Sequence, residues 1–163
     1  MSAEFDPARI LAVLERHGAD VIVIGGLAAW MHGAPVVTTD VDVVFSRDPD
    51  NIRRLVEALR EIQAIYRDPG GRRIEPSESD LAATTGGGHH LLTTAAGDLD
   101  VLRDAAGFGY HELLPRAVVL DLGGTKARFA SLASVIELKT RAGRPKDLAA
   151  LPVLRAALED QAP

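Results

Sequence analysis

Cysteine is absent from the whole chain. That excludes a disulfide framework, a thiolate zinc site and cysteine nucleophilic catalysis, and it fits a reducing cytoplasm, the expected location. Aromatic residues make up only 4%, so any core has to be built from Val, Leu, Ile and Ala. No apolar stretch reaches the roughly 20 residues of a membrane span. The segment from Met1 to Ile10 also lacks the basic stretch and apolar run of a signal peptide. Neither a leader nor a membrane anchor is expected. Positive charge is in short supply too: 18 Lys and Arg against 23 Asp and Glu leave a net charge of −5. An extended, nonspecific nucleic-acid coat is disfavoured by that balance, whereas a local basic pocket for an RNA end or a nucleotide is compatible with it.

The 163 residues suit one domain, and 47% hydrophobic with 25% charged residues is ordinary for a globular protein. The expected organisation is a single domain over 1–163, with a core at about 19–130 and a C-terminal helical part at about 131–160. Asp6 and Pro7 are placed to cap and open a helix that stops near Gly18. Val21 to Ile24 is an apolar run of strand length. A short helix is expected over Leu27 to His32, a second strand over Asp40 to Phe45, and an amphipathic helix from Pro49 with Asp48 as cap. Ala64 to Arg67 suggests a short strand, and Asp68 to Gly88 reads as a long polar surface loop. His89 to Thr94 and Leu99 to Leu102 are expected to pair through a turn at Ala95-Ala96-Gly97. A short helix over Tyr110 to Arg116 and a hairpin of Ala117 to Leu122 with Thr125 to Ala130 follow. Ser131 caps a helix to about Ala142, and Pro145 opens a last one ending near Asp160. The pattern is α/β: a small mixed sheet flanked by helices, with a helical tail.

Two features within this frame carry chemistry. Gly25-Gly26 opens a short helix, and bare backbone N–H groups at a helix start can receive phosphate. Asp40-Val41-Asp42 then places two carboxylates two residues apart on a strand, so both project from one face. Like charges held together on a partly buried element repel one another and resist desolvation. A divalent cation relieves both costs. A third carboxylate would complete a two-metal site. Asp100 is the better candidate, lying among apolar neighbours on a later strand, while Asp98 is nearer the turn. In two-metal chemistry one Mg²⁺, on Asp40 and Asp42, grips the triphosphate. The second, on Asp40, Asp42 and Asp100, lowers the pKa of an acceptor hydroxyl.

Together, Gly25-Gly26, Thr38-Thr39-Asp40-Val41-Asp42-Val43 and the distant Asp100 resemble the nucleotidyltransferase superfamily that includes DNA polymerase beta. Within it, the small bacterial members are the most similar, including the nucleotidyltransferase toxins of toxin–antitoxin pairs. The tail, with Leu138-Lys139 and Gly143-Arg144-Pro145-Lys146-Asp147-Leu148, resembles their C-terminal helical motif. The resemblance implies an NTP contacted by Gly25, Gly26, Thr39 and Lys139. It implies Mg²⁺ on Asp40, Asp42 and Asp100, and a rim shaped by Arg144, Lys146 and Asp147. One departure stands out: similar toxins often carry an arginine shortly before the Thr-x-Asp-x-Asp stretch, where this chain has Val36 and Val37.

Each residue also has a plainer reading. The glycine pair could be only a tight strand-to-helix turn, and the aspartates a solvated strand end. His89 and His90, as strand neighbours, face opposite ways and cannot easily chelate one ion; one is expected packed and one exposed, with His90 available to contact the nucleotide. Gly86-Gly87-Gly88 lacks the Lys-Ser/Thr of a P-loop. Arg67, Arg72, Arg73, Lys126 and Arg128 read as a solvated face, although Arg72 and Arg73 could hold acceptor phosphates if the long loop covers the cleft.

The expected function is Mg²⁺-dependent transfer of a nucleoside monophosphate from an NTP to a hydroxyl of RNA, such as a tRNA 3′ end, or of protein. A toxin-like enzyme would have an antitoxin partner. Two alternatives remain. One is a catalytically weak, antitoxin-like module that binds a nucleotide or a partner. The other is an aminoglycoside-type enzyme whose acidic acceptor cleft would draw on Glu75, Glu78 and Asp80.

Overall fold

The computed structural model describes residues 3–161. Met1, Ser2, Ala162 and Pro163, which the single-domain expectation includes, lie outside them. The centre is a seven-stranded mixed sheet. Its strands in chain order are β1 (Val21–Ile24), β2 (Asp40–Phe45), β3 (Ile65–Tyr66), β4 (His89–Thr94), β5 (Gly97–Leu102), β8 (Val118–Leu122) and β9 (Thr125–Phe129). In space they run β3-β4-β5-β2-β1-β9-β8. β6 (Asp104–Ala105) and β7 (Phe108–Gly109) form a separate small hairpin. The β2–β5 and β1–β9 pairings are parallel, and the remaining pairings within the sheet are antiparallel.

The helices follow their sequence signals closely. α1 (Pro7–Arg16) is capped by the Asp6 carboxylate, which accepts from the Arg9 N–H. α3 (Pro49–Glu61) is capped by Asp48, and α6 (Leu132–Ala142) by Ser131. α7 (Pro145–Asp160) begins at its proline. α1 packs on α3 and β9, while α2 (Gly25–Met31) packs on β1, β2 and α6. The core is aliphatic, as the scarcity of aromatics requires: Ile22, Val23, Val41, Val43, Leu55, Leu59, Leu92, Leu99 and Val101 are all buried. Asn51, wholly buried, ties α3 to the sheet. Its amide donates to the Asp20 and Ser46 carbonyls and accepts from the Asp20 N–H.

Several expectations are corrected. α2 starts at Gly25 rather than Leu27, so the glycine pair expected to open the helix is counted within its first turn. The segment Asp68 to Gly88 is not all loop. It contains α4 (Glu78–Ala82), nucleated by a capping box in which Ser77 and Asp80 satisfy each other's backbone N–H, and Leu81 is buried against the core. The Ser-x-x-Asp signature was in the sequence, but a helix this short has too little periodicity to stand out. The β6–β7 hairpin was not expected, since two-residue strands leave no alternation to read.

Leu81→Ala tests whether the 68–88 segment is folded. The expected cost is about 2–5 kcal/mol in urea unfolding, the usual range for a fully buried leucine. An unchanged midpoint would mean that the segment contributes nothing to the fold.

Candidate active site

β1 and β2 are antiparallel neighbours, so the end of β1 lies beside the start of β2, with Ile24 opposite Asp42. β5 runs parallel on the other side of β2, in a register that sets Asp40 opposite Asp98 and Asp42 opposite Asp100. Residues directly opposite and residues two apart share a face. Four carboxylates therefore emerge on one face at one place. Ligand oxygens of Asp40, Asp42 and Asp100 lie within 4.8 Å of one another.

The glycine pair is fixed by this geometry. Gly25 has φ +67°, and a Cβ there would stand 2.5 Å from Asp42 Oδ2. A Cβ on Gly26 would meet Thr38 at 3.3 Å. The helix start thus packs directly on the acidic strand, and its two glycines line the same cavity as the carboxylates. Ile24, at the N-cap, supplies no side-chain hydrogen bond.

The opposite wall comes from the α6–α7 junction. Gly143 ends α6 in the left-handed conformation, and Pro145 starts α7 two residues later. That sharp turn brings Lys139, Arg144, Lys146 and Asp147 to the rim of a cavity of about 580 Å³, whose lining also includes Gly25, Gly26, Thr39, Asp40, Asp42 and Asp100. Asp147 is 1% exposed and accepts from Arg144 Nε at 2.6 Å and Nη2 at 3.3 Å, with Lys139 Nζ 3.7 Å from the same Oδ1 that receives Nη2. Burial pushes Asp147 upward, but the hydrogen bonds and charge of Arg144, with Lys139 behind them, carry it below the ordinary carboxylate value.

Asp42 goes the other way. Burial, then repulsion from Asp40, raises it from 3.8 to about 6, against the pull of Lys139, Arg67 and Lys146. A carboxylate under such strain gains most from a divalent cation. The donor set is three hard carboxylate oxygens with no sulfur or nitrogen ligand, which suits Mg²⁺ or Mn²⁺.

Several residues are not where the sequence pattern places them. His90 does not face the cavity: its Nδ1 lies 2.8 Å from the Tyr66 hydroxyl and its ring packs edge-on to Phe45. His89, the exposed member of the pair, lines the cavity instead. Strand alternation gave the opposition of the two rings but not which one turned inward. Arg67 is not simply solvated: its guanidinium pairs with Asp100 and lies 3.6 Å from Asp98. It arrives from the end of β3, two strands from Asp100, and no local pattern could reveal that contact. Glu75, Glu78 and Asp80 do not line the cavity, and Asp80 is engaged in the α4 cap. Arg72 is held by Asp68, with its Nη2 at 2.8 Å and Nε at 3.1 Å.

Comparison with solved structures places this arrangement. The chain superposes on a crystal structure of a candidate nucleotidyltransferase from Thermotoga maritima with a TM-score of 0.56 at 15% identity, covering 98% of each chain. The fold is that of the nucleotidyltransferases. A second crystal structure with this fold is ANT(2″)-Ia in complex with adenylyl-2″-tobramycin. It matches with a TM-score of 0.56 at 15% identity over 91% of this chain and 85% of that one. No protein-family model matches the sequence, and no curated protein matches it. Among the described residues, no helix of this nucleotidyltransferase-type fold is long and apolar enough to cross a membrane.

The raised Asp42 gives a signed pH dependence. A carboxylate raised by folding stabilises the fold while protonated, and that contribution is lost as pH climbs from 3.8 through about 6. The shift corresponds to at most about 3 kcal/mol, at about 1.4 kcal/mol per unit, and less where solvent screens it. In the presence of a chelator, Asp42→Asn is expected to stabilise the protein by about 1–3 kcal/mol at pH 7.5 and by little at pH 4, read by urea unfolding. Equal effects at the two pH values would contradict this.

Proposed function

We propose that the protein is a Mg²⁺-dependent nucleotidyltransferase that moves a nucleoside monophosphate from an NTP to a hydroxyl. The observation that carries this is the convergence of Asp40, Asp42 and Asp100 within 4.8 Å, directly beside a glycine turn and opposite Lys139. A module that only bound a partner would not need to hold three carboxylates together against their repulsion, with Asp42 raised to about 6. The nucleotidyltransferase-type fold supports the same reading.

Asp40 and Asp42 would hold the nucleotide's metal, and Asp40, Asp42 and Asp100 a second one. When bound, the ions supply charge neutralisation on the phosphates and acidify the acceptor hydroxyl. The protein's own groups do the rest. First-turn N–H groups of Gly25 and Gly26, with Thr39, receive the triphosphate. Lys139, oriented by Asp147, meets its charge from the other wall. Asp100 orients the acceptor hydroxyl and accepts its proton at a carboxylate oxygen. The acceptor oxygen attacks the α-phosphorus in line, the bond to the bridging oxygen breaks, and pyrophosphate leaves.

RNA, such as a tRNA 3′ end, or a protein hydroxyl is the proposed acceptor, in keeping with the sequence resemblance to toxin-type enzymes and their antitoxin partners. A small polycationic acceptor is the second reading. It is favoured by one observation: Asp98 and Asp100 already accommodate a cation of the chain itself, Arg67. The structural likeness to ANT(2″)-Ia points the same way.

The test is transfer of label from each of four α-labelled NTPs into total RNA, protein or aminoglycosides, with Mg²⁺. Label is expected with wild type and should fall at least about 1,000-fold in Asp42→Ala, which removes a metal ligand. Lys139→Ala should lower transfer by about 10- to 100-fold, mainly through weaker NTP binding. Folded wild-type protein that neither binds Mg·NTP nor transfers label would refute the reading.

A further inference from the structure

Asp100 is more sheltered than Asp98 of the same strand, 16% exposed against 42%. Its partner is the Arg67 guanidinium. A divalent ion on the Asp100 oxygen that Arg67 now holds competes with the guanidinium for that atom and repels it. If the site takes a second ion there, as the proposed function has it, Arg67 gives up that oxygen.

Its surroundings provide for that. Asp98 lies two residues earlier on β5, on the same face, with Oδ2 3.6 Å from Arg67 Nη1. The other Asp98 oxygen accepts from the Thr93 hydroxyl at 2.7 Å, so that carboxylate is already oriented. A cavity of about 500 Å³, lined by Arg67, Thr93 and Asp98 among others, adjoins the pair. The Arg67 backbone is pinned, its N–H donating to the Leu91 carbonyl at 3.0 Å. The exchange therefore needs only rotation of the side chain, with no movement of the strand.

We infer that Arg67 is a positioning residue that guards the second metal position: it neutralises Asp100 when that position lacks an ion, and passes to Asp98 when an ion enters. This rests on the metal-dependent reading above.

The experiment counts Mn²⁺ bound to the full chain by the loss of free-ion electron paramagnetic resonance signal, with an α,β-methylene NTP present to prevent turnover. Wild type is expected to bind two ions, the second more weakly. Arg67→Gln should tighten the second ion by about tenfold and leave the first nearly unchanged, because one competing charge is removed. Asp98→Asn keeps the Thr93 hydrogen bond but removes the alternative anion, and should weaken the second ion. Melting temperature and circular dichroism accompany each variant, since a purely structural Arg67 would change those and not the second ion alone. A second ion bound no more tightly by folded Arg67→Gln, or no more weakly by Asp98→Asn, overturns this inference while leaving the metal site standing. A folded wild type that binds no Mn²⁺ overturns both.

Discussion

Parallel, in-register pairing of β2 and β5 puts Asp40, Asp42, Asp98 and Asp100 on one face at one end of two buried strands. The strands around them are apolar on the opposite face, with Val41, Val43, Leu99 and Val101 fully buried, so the carboxylates cannot move apart without dismantling the core. Everything near this point can be understood as an answer to that repulsion. Arg67 comes from the β3 side to Asp100, and Lys139, Arg144 and Lys146 come from the helical tail on the other side. The balance is incomplete at Asp42, which stays raised to about 6 despite three nearby cations. That residue lies directly against the glycine turn, where a Cβ on Gly25 would stand 2.5 Å from its Oδ2.

The helical tail does more than add a layer. Asp147 is buried, yet its partners Arg144 and Lys139 are side chains of the cavity rim. A buried carboxylate so engaged holds two long side chains near fixed positions; in the proposed reaction this would lower the entropy lost when a polyphosphate is bound. The sharp Gly143–Pro145 junction makes this possible, because it lets one acidic residue at the start of α7 reach a lysine in the last turn of α6.

Much of this was legible in the sequence where information is local. Capped starts at Asp6, Asp48 and Ser131, and the apolar runs at Val21 and Asp40, lie where the capping and periodicity signals place them. Spacing alone put Asp40 and Asp42 on one face, and apolar neighbours singled out Asp100. What could not be read was register across strands distant in sequence. Nothing local sets Asp42 opposite Asp100, brings Arg67 to that carboxylate, or turns His89 rather than His90 toward the cavity. The two-residue strands and α4 escaped because elements so short carry almost no periodic signal.

The most direct test of the central claim is a crystal structure of the protein grown with Mn²⁺ and an unreactive NTP analogue, with the metal located by anomalous scattering. The expected result is a peak coordinated by both Asp40 and Asp42, with triphosphate oxygens completing the shell and the glycine turn against the phosphates. Clear density for the nucleotide with its metal bound away from Asp40 and Asp42, or an acidic cluster left without metal at saturating Mn²⁺, would contradict it.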